Sequence, residues 1–332
     1  MNNQVSRRTI LVAAGASLTL AGVSACSKAG TTTGATTGGG NVKVAIVQKV
    51  LTSEFWQNVK SGAQAEAKTE GISLDVFAAN SEDDVEGQVN LVQNALSKGY
   101  AAIGVAPISN VNLNNVLAEA TKKGIYVINV DEPVDLSNLK ARGGAIQGLV
   151  TTDNVKVGGM AGSLIAKHLG NSGNVAIIEG QAGVQSGVDR KNGAKSAMEK
   201  AGLTIVDSQP ADWDRTKAYN VAQNFINKYP SLKAIYCCND TMAMGAQEAA
   251  VKSGRQIVVV GTDGNSDAIK SVLAGGLLAT VKQDSAKVGA ESVKLMAKLV
   301  KDKPKIDVNA QPSTMHVDPI LITKENAAKF VK

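Results

Sequence analysis

Eight residues, Lys49-Val-Leu-Thr-Ser-Glu-Phe-Trp56, put a cation, two hydroxyls, a carboxylate and two adjacent aromatic rings into one stretch. The chain is only 3% aromatic and has two Trp, so this pairing stands out. Aromatic faces beside charged hydrogen-bonding groups suit a ring with apolar faces and a hydroxyl-rich rim. Phe55 and Trp56 can also be read as core anchors of the helix that follows. Comparable polar clusters recur at Asp131-Glu-Pro133, Ser186-Gly-Val-Asp-Arg190, Asp212-Trp-Asp-Arg215, Asn239-Asp240, Asp263-Gly264 and Gln283-Asp284. An ionised Asp accepts from two hydroxyls while Arg, Lys and Asn donate, which is the chemistry of polyol recognition. Taken singly, Asn239, Asp153 and Asp214 each precede a helical pattern and read as N-caps. Capping does not explain why long polar groups and both Trp gather at such places.

The elements that must position these groups follow a rhythm. Apolar runs at 42–48, 73–77, 101–105 and 126–130 read as strands. Helical patterns fill 57–70, 84–98 and 111–122. The rhythm pauses over 134–148 and resumes with strands at 147–151, 175–179, 205–209, 234–238 and 257–260. Helices at 155–168, 193–200, 216–228 and 241–252 alternate with them. A helix-strand set follows within 268–281, then a helix at 286–301 and extended segments at 313–317 and 320–322. Short buried strands bounded by Gly, with amphipathic helices between, predict parallel sheets covered on both faces. The strands are too many for one open sheet, so two α/β lobes are expected. The polar clusters fall at the carboxyl ends of strands, the ligand edge of open α/β sheets.

Several chemistries lack material. There is no GxGxxG and no GxxxxGK[ST], so neither a dinucleotide loop nor a phosphate loop is supported. The chain holds two His, His168 and His316, too few for a His-based metal cluster, and no GxSxG elbow precedes a helix. Cys237-Cys238 end a strand and read as small buried side chains. No metal or cofactor is expected. The formal charge is +6, or +4 without Arg7 and Arg8, and no basic stripe with interleaved aromatics argues for nucleic acid.

The first residues read as an address. Ser6-Arg-Arg-Thr-Ile-Leu11 opens an apolar run too short for a membrane span, and the run ends in Val23-Ser-Ala-Cys26. That tetrapeptide resembles a bacterial lipobox, with the thiol of Cys26 as the lipid acceptor. A signal peptide over 1–26 and a flexible Thr/Gly/Ala-rich tether over 27–41 are expected. This places the protein outside the cytoplasm, held at a membrane surface by lipid.

Longer runs carry a family resemblance: Lys123-Gly-Ile-Tyr126, Asn129-Val-Asp-Glu132, Val150-Thr-Thr-Asp-Asn154, Ser208-Gln-Pro-Ala-Asp-Trp-Asp-Arg215, Lys233-Ala-Ile-Tyr-Cys-Cys-Asn-Asp-Thr-Met-Ala-Met-Gly245 and Val260-Gly-Thr-Asp-Gly264. Over 42–323 the chain resembles the class I, ribose-type periplasmic sugar-binding proteins of ABC importers, and most closely their D-allose-binding members. The resemblance implies a periplasmic-binding-protein-like type I fold, two Rossmann-like lobes with parallel sheets joined by a three-crossover hinge. Crossovers are expected at 151–152, 262–263 and 283–284. The lobes would comprise 42–151 plus 284–312 and 152–283 plus 313–332. It implies reversible capture of a monosaccharide by hinge closure, not catalysis, and a monomer that delivers to permease subunits driven by a cytoplasmic ATPase.

The family pocket carries over to Lys49, Phe55, Trp56, Asp131, Arg190, Trp213, Asn239, Asp263 and Gln283, with Ser53 where the family motif has Asn. Phe55, Trp56 and Trp213 would sandwich the sugar. Asp131 and Asp263 would accept from hydroxyls, and Arg190, Lys49, Asn239 and Gln283 would donate. Glu54 stands where the motif has Pro and would add charge at the rim. Competing readings are a sugar or inositol-like polyol sensor for a chemoreceptor, a LacI-type regulator core, and an exported carbohydrate-active enzyme using Asp131 and Asp263. The regulator needs an N-terminal DNA-binding helix pair where this chain carries its signal.

Overall fold

The computed structural model describes residues 42–331, so the expected signal segment 1–26, Cys26 and the tether 27–41 lie outside the described residues. From Lys43 strand and helix alternate: β1 (Lys43–Gln48), α1 (Glu54–Thr69), β2 (Ser73–Ala78), α2 (Val85–Leu96), β3 (Ala102–Val105), α3 (Asn114–Lys122), β4 (Tyr126–Val130), α4 (Leu136–Ala141) and β5 (Gly148–Thr152). There follow α5 (Asn154–His168), β6 (Gly173–Glu179), α6 (Gln185–Lys200), β7 (Leu203–Pro210), α7 (Arg215–Lys228), β8 (Leu232–Cys237), α8 (Asp240–Lys252), β9 (Val258–Asp263), α9 (Ser266–Ala274) and β10 (Ala279–Lys282). The chain ends with α10 (Ser285–Asp302), β11 (Ser313–Val317), β12 (Ile320–Thr323) and a 3-10 turn, Ala327–Lys329.

The strands form two six-stranded sheets. The first runs β11-β5-β4-β3-β1-β2 and is parallel throughout. The second runs β12-β10-β9-β8-β6-β7 and is parallel except for β12. β3 is buried at every residue because helices cover both faces of its sheet, which is why it reads as a continuous apolar run. On one face Val59 and Ala63 of α1 pack with Val288 and Met296 of α10. On the other, Val92 and Leu96 of α2 and Leu117 of α3 do the same work. Helices α5 to α9 enclose the second sheet around Val175, Ile177, Tyr236 and Val260. The α/β architecture of two parallel sheets, each in its own lobe, is thus the one expected.

The connections between lobes differ from expectation. One runs from β5 to α5 near Thr152, and another from β10 to α10 near Gln283. The crossover expected at 262–263 does not occur there: β9 pairs with β10 through Asp263, and α9 joins them on the same sheet. The third crossing is instead the link between β11 and β12. β11, assigned by sequence to the second lobe with the rest of 313–332, pairs with β5 of the first sheet, Ser313 opposite Gly148. The pairing partner of a tail strand is a tertiary choice that its own five residues do not encode.

Three local boundaries also shift. The pause at 134–148 contains α4, started by Asp135, whose side chain accepts from Asn138 N–H. α1 begins at Glu54, so Phe55 and Trp56 lie in its first turn rather than in a loop. α6 begins at Gln185, eight residues before the expected start, and makes Ser186 and Arg190 helical. Its glycines hid it, and the structure shows their use. A Cβ on Gly193 would lie 2.1 Å from Val155 O, and one on Gly158 would lie 1.9 Å from Arg190 O. The bare backbones of α5 and α6 therefore touch, which sets the depth of Arg190.

Candidate functional site

A cavity of about 500 Å³ lies between the carboxyl ends of the two sheets, within the size range of small-molecule sites, roughly 300–1,000 Å³. Its walls come from the turns that follow the strands. Lys49 and the start of α1 follow β1, Asp131 and Glu132 follow β4, Asn239 follows β8, Asp263 ends β9, and Gln283 follows β10. The ten residues singled out by sequence all line this one cavity.

The aromatic walls are held from behind. Phe55 and Trp56 pack edge to face, with ring centroids 5.0 Å apart at 89°. They belong to the apolar core of the first lobe and also line the cavity, so the two readings of this pair coincide. Trp213 faces them from the second lobe with the Arg190 guanidinium 5.9 Å from its ring centroid. The indole lies over two glycines: a Cβ at Gly180 would come within 2.0 Å of it and one at Gly187 within 3.0 Å.

The charged groups are buried and bound to one another. Arg190 gives Nε–H to Asn154 Oδ1 at 2.9 Å and Nη1–H to the Cys238 carbonyl at 2.9 Å, and it meets Asp263 Oδ1 at 3.4 Å. Gln283 Nε2 donates to the same Asp263 oxygen at 2.7 Å. Gln283 lines the cavity, its Nε2 is taken by Asp263, and its Oε1 has no hydrogen-bond partner. Lys49 Nζ lies 3.4 Å from Glu132 Oε1. Asn239 caps α8 through Oδ1, 2.8 Å from Met242 N–H, and its Nδ2 remains for the cavity. Ser53 is the N-cap residue of α1 but makes no capping bond, so its hydroxyl is also free.

Burial works against charge here. It raises Asp131 to about 7, helped by repulsion from Glu132 and opposed by Arg190 and Lys49. It raises Asp263 to about 6 against the pull of Arg190 and the Gln283 hydrogen bond. Glu82 is raised by burial and by Glu132, against Lys49. Four buried acceptors on the cavity wall, Asp131 Oδ1, Gln283 Oε1, Glu82 Oε2 and Gln181 Oε1, have no hydrogen-bond partner. Each such atom costs free energy until a donor meets it.

Backbone strain gathers at the same place. Among the described residues six non-glycine residues have positive φ, and four of them line the cavity: Asp131 at 67°, Asp212 at 52°, Trp213 at 63° and Asp263 at 123°. Asp240, behind the wall, secures the Asp263 turn by accepting from Asn265 N–H and the Thr280 hydroxyl, each at 2.7 Å.

Three further lining residues lie outside the pocket expected from sequence: Glu132, a member of the Asp131-Glu-Pro133 cluster, and Glu82 and Gln181, which belong to no such cluster. Glu82 and Gln181 follow β2 and β6, so the strand-end rule pointed to both, but they lie beyond flexible-looking turns with no aromatic neighbour to mark them.

Residues 44–304 match the family model described as periplasmic binding protein domain. The D-allose-binding periplasmic protein of Escherichia coli is 48% identical over 284 residues, which cover 84% of this chain and 91% of that protein. The ribose import binding protein of Haemophilus influenzae is 31% identical over 258 residues, 78% of this chain and 85% of its own. A crystal structure of an ABC transporter periplasmic solute binding protein from Actinobacillus succinogenes with bound D-allose superposes with a TM-score of 0.80. It is 32% identical, covering 87% of this chain and all of that one. These relatives are binding proteins, not enzymes.

Proposed function

The chain belongs to the periplasmic binding protein family, and from that premise we propose that it captures an unphosphorylated allose- or ribose-like monosaccharide for an ABC importer. The observation that carries this reading is the set of four unpartnered acceptors, Asp131 Oδ1, Gln283 Oε1, Glu82 Oε2 and Gln181 Oε1, around one cavity with aromatic walls. A polyhydroxylated ring brings donors to all of them and apolar faces to Phe55, Trp56 and Trp213. Lys49, Asn239, Arg190 and the Ser53 hydroxyl are the donors available in return. A sugar phosphate would meet Asp131, Glu82 and Asp263 and be repelled.

Capture involves rotation of the lobes about the three connections near Thr152, Gln283 and the link between β11 and β12. The ligand touches both lobes, so it binds the closed arrangement better and shifts the population toward it. The closed protein then presents the sugar to the membrane subunits. Cys26 and the segments around it are read as a lipoprotein signal that holds the chain on the outer face of the membrane.

A thermal-shift screen over D-allose, D-ribose, D-glucose and myo-inositol tests the reading, since a ligand that binds only the folded state raises its melting temperature. A rise with D-allose or D-ribose is expected. A response confined to myo-inositol would assign a cyclic polyol, and no response to any of them would overturn sugar capture.

A further inference from the structure

Two carboxylates of the first lobe reach across the cleft and bind helix starts in the second. Glu54, in the first turn of α1, accepts from Ser266 N–H at 3.0 Å and from the Ser266 hydroxyl at 2.6 Å. Glu132, after β4, accepts from Ser186 N–H at 3.4 Å and from the Ser186 hydroxyl. The two contacts have the same chemistry: one carboxylate takes the backbone N–H and the side-chain hydroxyl of a Ser in the first turn of a helix.

The helices involved are the two that need it. In the second lobe α5, α7 and α8 cap themselves through Asp153, Asp214 and Asn239. α6 and α9 do not, because their N-cap residues Val184 and Asn265 make no side-chain bond. A helix start without a cap is less stable than a capped one, and a carboxylate there is also favoured by the helix dipole. Glu54 stands at the start of α1 as well, so its charge lies between two helix N-termini.

We propose that Glu54 and Glu132 are positioning residues that cap α9 and α6 from the opposite lobe and so hold the cleft closed. The two clasps differ in their link to the ligand. Glu132 lines the cavity and shares its Oε1 with Lys49, so its clasp depends on what the cavity holds. Glu54 is not among the residues lining the cavity, so its clasp favours closure whatever ligand is bound. The residue that sequence placed as a charge at the rim thus acts on the lobes and not on the sugar. Opening the cleft uncaps α6 and α9 together, and closure restores both caps.

The test uses Glu54→Ala, Ser266→Ala, the double variant and Glu54→Gln, with D-allose as the probe. Hydrogen bonds to a charged acceptor support a change of about tenfold or more in affinity. This change is expected in the dissociation rate, with association little altered. Small-angle scattering of the protein without sugar should show a larger radius of gyration in Glu54→Ala and in Ser266→Ala. The double variant should be no worse than either single, and Glu54→Gln, which keeps one acceptor oxygen, should recover part of the loss. Folded single variants with unchanged dissociation and unchanged scattering would overturn the clasp. The D-allose arm rests on the proposed function, whereas the scattering arm does not. If the parent protein fails to bind D-allose, that reading falls and scattering still decides the clasp.

Discussion

Gln283 Nε2 lies 2.7 Å from Asp263 Oδ1, the same oxygen that faces Arg190 Nη1 at 3.4 Å. One carboxylate oxygen thus organises a cation and an amide, and it fixes the amide with Gln283 Oε1 left unpaired. Asp263 itself sits at φ 123°, a conformation held by Asp240 through the following turn. Replacing Asp263 with Ala removes an acceptor and leaves Arg190 buried without its carboxylate partner. Sugar affinity should fall by about 10- to 100-fold or more with the fold intact. Titration calorimetry with circular dichroism as the folding control checks this, and unchanged affinity would remove Asp263 from the site.

Gly180 gives a test that touches no polar group. A Cβ there would lie 2.0 Å from the Trp213 ring, so Gly180→Ala must displace the indole. Binding should weaken about tenfold while the Asp and Arg groups stay in place. Loss of Trp213 fluorescence quenching by sugar would accompany it. A variant with parental affinity would show that Trp213 does not form a wall of the bound state.

The buried carboxyls predict a pH dependence with a definite sign. Asp131 at about 7 and Asp263 at about 6 lie above the usual carboxylate value. Such groups hold more protons in the folded than in the unfolded state, so their contribution to stability is lost as pH rises from about 4 through about 7. Sugar hydroxyls that donate to these oxygens favour the charged form and pull the values down. Binding should therefore tighten from pH 5 to pH 7.5 and release protons near pH 6.5. Calorimetry in buffers of different ionisation enthalpy reads the proton count, and affinity flat over this range would contradict it.

Ser53 tests ligand preference. Its hydroxyl makes no capping bond, and the residue lines the cavity. Ser53→Asn adds a donor and should raise D-allose affinity by about three- to tenfold, with a smaller effect on D-ribose. Equal changes for both sugars would show that position 53 does not discriminate between them.

Much of this was readable from residue order, and the failures have physical causes. Strand alternation placed Asp131, Asn239 and Asp263 at carboxyl ends because period and burial are local properties of each run. The start of α6 was not readable, because Gly187 and Gly193 lower helix propensity while serving contacts with Trp213 and α5. The crossing between β11 and β12 depends on which sheet accepts Ser313–Val317, a choice made by β5 more than 150 residues earlier. The bond from Glu54 to Ser266 spans 212 positions, and nothing local to either residue names the other as its partner. Glu82 lies in a turn four residues past the end of β2 that carries no aromatic to mark it.

Isothermal titration of the purified protein with D-allose and D-ribose bears most directly on the central claim. The account predicts one site per chain with a free energy near −8 kcal/mol, about micromolar, for at least one of the two sugars. That heat should vanish or fall steeply in Asp263→Ala. Absence of binding to either sugar at millimolar concentration, in protein shown to be folded, would contradict it.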